Sequence, residues 1–542
     1  MNKKILITII IIVIIIISVI GGYHFIESKE KRNSKQDWWN DDWLYRKKLI
    51  FDNSGQTEAL INFPILVELS SSNFDYSKAR SDGKDLRFID ADDSTKLSYH
   101  IEDWNPSGSS YIWVNVPKID ASSNLDYIWM YYGNSDAPDI QDESGTYDAS
   151  YVMVQHLQET SGPRYDSTSN DNDGIPFSGL NKVNIGKING APDFNGSDDF
   201  IDCGNDDSLN LSGALTIEAW IKLSSLKSGV ILSKPGAYYL EVNFEYKLAG
   251  AIYDESNWYP AVGKTILSAN RWYHVAFTFD GYNLKLYLDG SLESESVHTG
   301  SISPFLINNL CIGKQIFLDD FSEYGDNSDG SPIWEFEDYG PFSTQTIENG
   351  VFHWSCPVPR NETFAIIKGF DSLDYIVEAK VKTTSLTGGA FICPRYDTTE
   401  DKYEVVLDTQ YSNVVLNKVV KNVWTNIETV PLGWTVQNNT WYNLKTQITT
   451  EGSSNRIKIW ANDILYVDTN DSDLTNYTKL ALLGYDHTDP YEIYFDDVKV
   501  YISFDGIIDE VRISNMARSP NWIFAQYLSE NDDFIFFGNE ET

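Results

Sequence analysis

The 542-residue chain is poor in cysteine (4), methionine (4) and histidine (7), and its 41 lysines and arginines are outnumbered by 79 acidic residues. The resulting formal net charge of −38 excludes nucleic acid as a partner, because a polyanion would be repelled. No C-x-x-C spacing occurs, so no zinc site is suggested. Neither a G-x-S-x-G elbow nor an H-E-x-x-H helix is present, which removes two well-marked hydrolase motifs. Beyond the first 26 residues, no long stretch carries the 3.6-residue apolar period of a helix.

Apolar and aromatic residues are plentiful. Hydrophobic residues make up 42% and aromatics 14%, enough for several packed cores, and the length predicts three or four domains. Residues 5–26 are nearly all apolar, and at 1.5 Å per residue they span about 33 Å, the thickness of a hydrocarbon core. A cleaved signal peptide has a shorter apolar region and an A-x-A-like site, which is missing here, so an uncleaved single-pass anchor is expected. Lys3 and Lys4 precede the span, while Lys29, Lys31 and Arg32 follow it, so cations alone do not orient it. Six N-x-S/T sequons, at Asn195, Asn210, Asn361, Asn438, Asn470 and Asn476, favour placing the bulk of the chain outside a cell membrane.

After a charged linker ending at residue 37, alternating runs such as Tyr111-Ile112-Trp113-Val114-Asn115-Val116 and Leu284-Lys285-Leu286-Tyr287-Leu288 alternate with Asp-Gly and Asn-Gly turns. The pattern predicts an all-β chain: three β-sandwich (jelly-roll) domains behind one N-terminal transmembrane helix. The expected domains are 38–145, 150–315 completed by 503–530, and 316–502 inserted between those two pieces.

Three sets of motifs support that division. Trp43-Leu44-Tyr45-Arg46-Lys47, the D-G-K-D-L-R-F segment at 82–88 and Tyr131-Tyr132-Gly133-Asn134 resemble a β-rich domain of unknown function found at the start of many archaeal and bacterial surface proteins. T-I-E-A-W-I (216–221), W-Y-H-V-A-F-T-F-D-G (272–281) and L-Y-L-D-G (286–290) resemble the laminin-G-like, concanavalin A-like jelly roll. The I-D-E-V-R-I strand of that family stands far downstream, at 508–513. Between them, D-D-F-S (319–322), V-E-A-K-V-K (377–382), W-Y-N-L-K (441–445) and F-D-D-V-K-V (495–500) resemble concanavalin A-like modules related to family-16 glucanases and keto-disaccharide hydrolases. This makes 316–502 a second jelly roll nested in the first, and places residues 504–514 in the sheet of 150–315.

The third resemblance implies fold more than activity. Glucanases of this fold carry their acids as E-x-D-x-x-E or E-x-D-x-E on one strand face; Glu378 is followed two residues on by Lys380, so no catalytic residue is expected. Trp258, Tyr259, Trp424 and Trp434 lie in loop-like contexts and are candidate sugar platforms, with ordinary packing as the alternative. Asp319 and Asp320 with Asp496 and Asp497 could converge on a structural calcium ion, or could cap turns instead. In an oxidising compartment Cys203 could bond Cys311, and Cys356 could bond Cys393; four free thiols is the other reading. The expectation is a non-catalytic, membrane-anchored cell-surface protein that binds glycans or surface partners. A polysaccharide-acting glycoside hydrolase and a purely structural envelope or adhesion subunit are the alternatives.

Overall fold

The computed structural model describes residues 38–542 apart from 181–182, 255–256, 304–307, 320–333, 339–343, 349–350, 357–362, 368–371, 385–387, 399 and 487–490. The expected anchor therefore lies outside the described residues; among these, no helix is long and apolar enough to cross a membrane. The chain divides into two compact units, one running to Asp148 and including Leu528–Thr542, the other Ala149–Tyr527.

In the first unit, Tyr45–Phe51 buries Leu49 and Phe51 on alternate positions and sits between Tyr127–Tyr132 and Ile535–Glu541 in a four-stranded sheet. A three-stranded sheet is built from Leu60–Leu69, Ser110–Ile119 and Tyr99–Asp103. Phe534 joins the two sheets, with ring centroids 6.2 Å from Phe51 and 5.8 Å from Phe63. The motifs of this domain meet at Asp85. Its carboxylate accepts from the Gly133 amide at 2.7 Å and the Asn134 amide at 3.2 Å, and its carbonyl accepts from Trp43 Nε1 at 2.7 Å. Tyr131 and Trp113 are fully buried, so these aromatics are core. The C-terminal strand corrects the sequence reading, which leaves 531–542 unassigned. It pairs with Tyr45–Phe51 from Phe51↔Ile535 to Arg46↔Glu541, and Arg46 Nε donates to Glu541 at 2.7 Å.

In the second unit, an eight-stranded and a seven-stranded sheet enclose one core that includes Ile217, Leu240, Phe277 and Ile513. At its centre Leu215–Leu223 lies between Trp272–Phe279 and Asp505–Ser514, the latter antiparallel from Thr216↔Ser514 to Leu223↔Gly506. Among the described residues Asp505–Ser514 pairs with no strand of 316–502. That intervening segment has its own eight- and seven-stranded sheets and its own core, with Trp354, Val405 and Leu444 buried.

Entry to and exit from the inserted sandwich meet at one point. Lys314–Asp319 and Tyr491–Ser503 pair from Lys314↔Ser503 to Asp319↔Val498. Just outside that pair the Phe504 amide donates to the Gly313 carbonyl at 2.8 Å. Phe504 is buried in the first core and meets Phe194 edge-on at 6.4 Å. Gly313 has φ +82°, and a Cβ there would lie 2.2 Å from the Phe194 ring. After the closing strand, the chain forms a helix, Pro520–Glu530, that the alternation analysis does not predict. Ser519 Oγ accepts from the Trp522 amide at 3.1 Å and Pro520 opens the first turn, which together start the helix.

Gly313→Ala combines a left-handed backbone with a ring collision. It should cost about 2–3 kcal/mol, read as a lower midpoint in urea unfolding of the second unit's tryptophan fluorescence. An unchanged midpoint would mean that this junction tolerates a Cβ.

Candidate functional site

The two sandwiches of the second unit repeat one arrangement. Glu218 on Leu215–Leu223 stands opposite Arg512, and Glu378 on Tyr375–Thr383 stands opposite Lys499. The register then slips by one residue, so that Trp220 faces Asp509 and Lys380 faces Asp496. The extra residues are Glu510 (φ 52°) and Asp497 (φ 48°), each a β-bulge in the left-handed region. The bulge explains why two acids stand together between core residues: Ile508 and Val511 in one strand, Phe495 and Val498 in the other, all four buried.

The sheet face that carries these acids differs between the two copies. In the first sandwich it is sealed: Glu218, Trp220, His274, Tyr287, Asp509 and Arg512 are each at most 2% exposed. The helix Pro520–Glu530 supplies cover, with Tyr527 stacked 5.9 Å from Trp220 and 6.1 Å from His274, and Phe524 over Gly290. Glu510 accepts from Arg512 Nη2 at 2.6 Å and meets His156 Nδ1 at 2.9 Å. Asp509 accepts from the Lys187 and Ile188 amides at 2.7 and 2.9 Å. Burial, reinforced by Glu510 alongside, pushes the Asp509 carboxyl well above the usual carboxylate range. Such a face is a closed polar layer, filled by the protein itself.

In the inserted sandwich the corresponding face is open. Glu378, Lys382, Lys445, Trp460, Tyr494 and Lys499 are half-exposed there, and Lys380 is exposed. His353 stacks flat on Tyr494 at 4.5 Å and 6°. Lys382 Nζ lies 4.0 Å from the Tyr494 ring and 4.8 Å from Trp441, and Lys445 Nζ lies 5.3 Å from Trp460. Glu378 Oε1 accepts from Asn443 Nδ2 at 2.9 Å, and Lys380 is paired with Asp497. Half-exposed rings beside hydrogen-bonding groups on a sheet can pack against a sugar and hold its hydroxyls.

The residues singled out from sequence fall elsewhere. Trp258 and Tyr259 are consecutive on a strand and face opposite ways, so they do not form one platform. Trp258 packs on Tyr239 and Tyr253 at 5.0 and 5.4 Å, while Tyr259 packs on the core and stacks on His298 at 3.5 Å. Trp424 is 53% exposed on Val423–Pro431, an outer strand of the other sheet. Trp434 packs against the inserted core, stacks on Tyr442 at 5.2 Å and donates from Nε1 to Tyr466 at 3.1 Å. Asp496 accepts from the Asp497 amide at 2.9 Å, and Asp319 lies opposite Val498 in register; the Asp319 side chain and all of Asp320 lie outside the described residues.

The expected bridge between Cys203 and Cys311 is not formed: both are buried free thiols, as is Cys393, and the Cys356 side chain lies outside the described residues. The reason is strand alternation. Asp202 is the residue opposite Cys311, and Cys203 bonds back to Leu310, so Cys203 joins the core with Leu310 and Ile312 while Cys311 turns to the other face. Burial pushes the Cys311 thiol up to about 12. Sequence reasoning also misses Trp441, Trp460 and Tyr494; Trp460 was findable, because it alternates with Ile457 and Ile459, which are buried.

Trp434→Ala should lower stability by about 2–3 kcal/mol, because it removes a ring packed on the core, whereas Trp424→Ala should change it by less than about 0.5 kcal/mol. Chemical denaturation of the two variants checks this, and equal effects would contradict the packing described.

Residues 195–324 match the concanavalin A-like lectin/glucanases superfamily, and residues 82–170 match a domain of unknown function (DUF2341). No curated protein matches the chain. Among solved structures, the carbohydrate-binding module CBM66 from Bacillus subtilis is 18% identical and covers 33% of this chain and 97% of its own, with a TM-score of 0.23. The β-glucanase of Bacillus licheniformis is 14% identical over 34% of this chain and 97% of its own, with a TM-score of 0.26. The VIP36 exoplasmic/lumenal domain, solved in a Ca2+/Man2-bound form, is 11% identical over 34% of this chain and 87% of its own, with a TM-score of 0.26. The chain thus couples a DUF2341 domain to a jelly roll of the concanavalin A-like lectin/glucanases superfamily.

Proposed function

We propose that this protein is a non-catalytic, cell-surface glycan-binding protein that holds its ligand on the open sheet face of the inserted sandwich. The observation that carries the reading is the contrast between the two equivalent faces: one is plugged by Tyr527 and Phe524, and the other leaves Trp441, Trp460, Tyr494 and their polar neighbours accessible. The superfamily match at 195–324 supports a sugar-related role for the fold. The apolar segment at 5–26 would hold the chain to a membrane, with the sandwiches outside. A structural calcium ion belongs to the same proposal, with Asp319, Asp320, Asp496 and Asp497 as its candidate ligands.

Hydrolysis is the second reading. Glu378 and Asp496 lie on the same open face of neighbouring strands, the kind of placement that a pair of catalytic carboxylates needs. Their setting argues for binding: Glu378 is held by Asn443, and two lysines, Lys445 and Lys499, stand opposite it in register.

Trp460→Ala and Tyr494→Ala should each weaken binding to a polysaccharide panel by about tenfold, as stacking of one ring contributes about 0.5–1.5 kcal/mol beyond area. Glu378→Gln should leave binding in place and release no sugar. Reducing-end release by the wild type that is lost in Glu378→Gln would make the protein an enzyme. Calcium should raise the thermal midpoint relative to chelator; equal midpoints would remove calcium from the proposal.

A further inference from the structure

We infer that the open face selects acidic glycans, those bearing carboxylate or sulfate groups, over neutral ones; the inference rests on that face being the glycan site. Its first support is a local gathering of cations. The chain as a whole carries a formal −38, yet Lys380, Lys382, Lys445 and Lys499 converge on one face from three adjacent strands, with Glu378, Asp496 and Asp497 as the carboxylates among them. Asp497 neutralises Lys380, whereas among the described residues Lys382, Lys445 and Lys499 form no ion pair.

The second support is where those lysines sit. Lys382 lies between the rings of Trp441 and Tyr494, and Lys445 lies beside Trp460. A sugar packed along the exposed edges of these rings would bring its substituents to an ammonium, and a substituent of negative charge gains a charge-assisted hydrogen bond there. The third is the comparison between copies. Opposite Glu218 the sealed face has Ala276, and opposite Glu378 the open face has Lys445; where the sealed face has Trp220, the open face has Lys380. Fold closure does not require cations at the positions of Lys380 and Lys445, since the first sandwich has Trp220 and Ala276 there, while it keeps Lys222 and Arg512 where the open face has Lys382 and Lys499.

The test uses the full-length protein in detergent with three probes: dextran, dextran sulfate and polygalacturonate, each at low and physiological salt. The expected result is binding to polygalacturonate and dextran sulfate at least tenfold tighter than to dextran, with a loss of about tenfold in Lys382→Met and in Lys445→Met. Lys264→Met, on an exposed strand of the first sandwich, should bind as the wild type does. Equal binding of dextran and the acidic polymers, unaffected by the face lysines but weakened by Trp460→Ala, would overturn the acidic preference and leave the glycan site standing. Acidic binding lost equally in Lys264→Met would show nonspecific attraction and overturn the inference. No binding of any probe, with thermal midpoints unchanged, would overturn both the preference and the site.

Discussion

One continuous segment, residues 491–514, closes both sandwiches of the second unit. Tyr491–Ser503 completes the inserted sandwich, Asp505–Ser514 completes the first, and Phe504 alone separates them. Because side chains alternate with a period of two, a one-residue slip in either strand would turn its core set toward solvent. Phe504 fixes the register of both: its ring is buried in the first core, and its amide is bound to Gly313, the residue at which the chain departs into the insertion. Insertion at this point leaves the first sandwich intact because the departing and returning strands pair with each other from Lys314↔Ser503 onward.

The same segment sets the chemistry of the two faces. Each closing strand carries a bulge whose second acid, Glu510 or Asp497, takes the left-handed conformation, and each bulge delivers its first acid, Asp509 or Asp496, beside a central strand. Burial then separates them. In the first sandwich, Glu510 is held by Arg512 and His156 and Asp509 by backbone amides, which makes that layer part of the structure. On the insertion, the equivalent acids stand among lysines and rings in contact with solvent. A duplicated scaffold thereby holds one closed and one open version of the same surface.

Much of this architecture was legible in the sequence, for a physical reason. I-D-E-V-R-I and F-D-D-V-K-V each space their core residues by three and then two, so the bulge is written in the apolar pattern, and the far-displaced copy of the motif marks the nested strand. Ser519-Pro520 is a helix start with a known mechanism, yet an 11-residue helix within a strand-rich sequence shows little periodicity to confirm it. The strand Ile535–Glu541 was hidden because its partner Tyr45–Phe51 lies almost 500 residues away, and edge strands keep weak alternation. Site residues were harder still. Trp434 reads as a loop aromatic but finds Tyr442 and Tyr466, whereas Trp441 and Tyr494 gain meaning only when they flank the strand that carries Lys382. The cysteine pairing failed on a single step of alternation between Asp202 and Cys203.

The central claim is that the insertion's open face, and not the sealed face of the first sandwich, takes the ligand. Hydroxyl-radical footprinting of the protein with and without a bound polysaccharide tests it most directly, because aromatic side chains report contact at single residues. Trp441, Trp460 and Tyr494 should lose reactivity on binding while Trp258 and Trp424 keep theirs. Protection confined to Trp258 or Trp424, with Trp460 and Tyr494 unchanged, would contradict it.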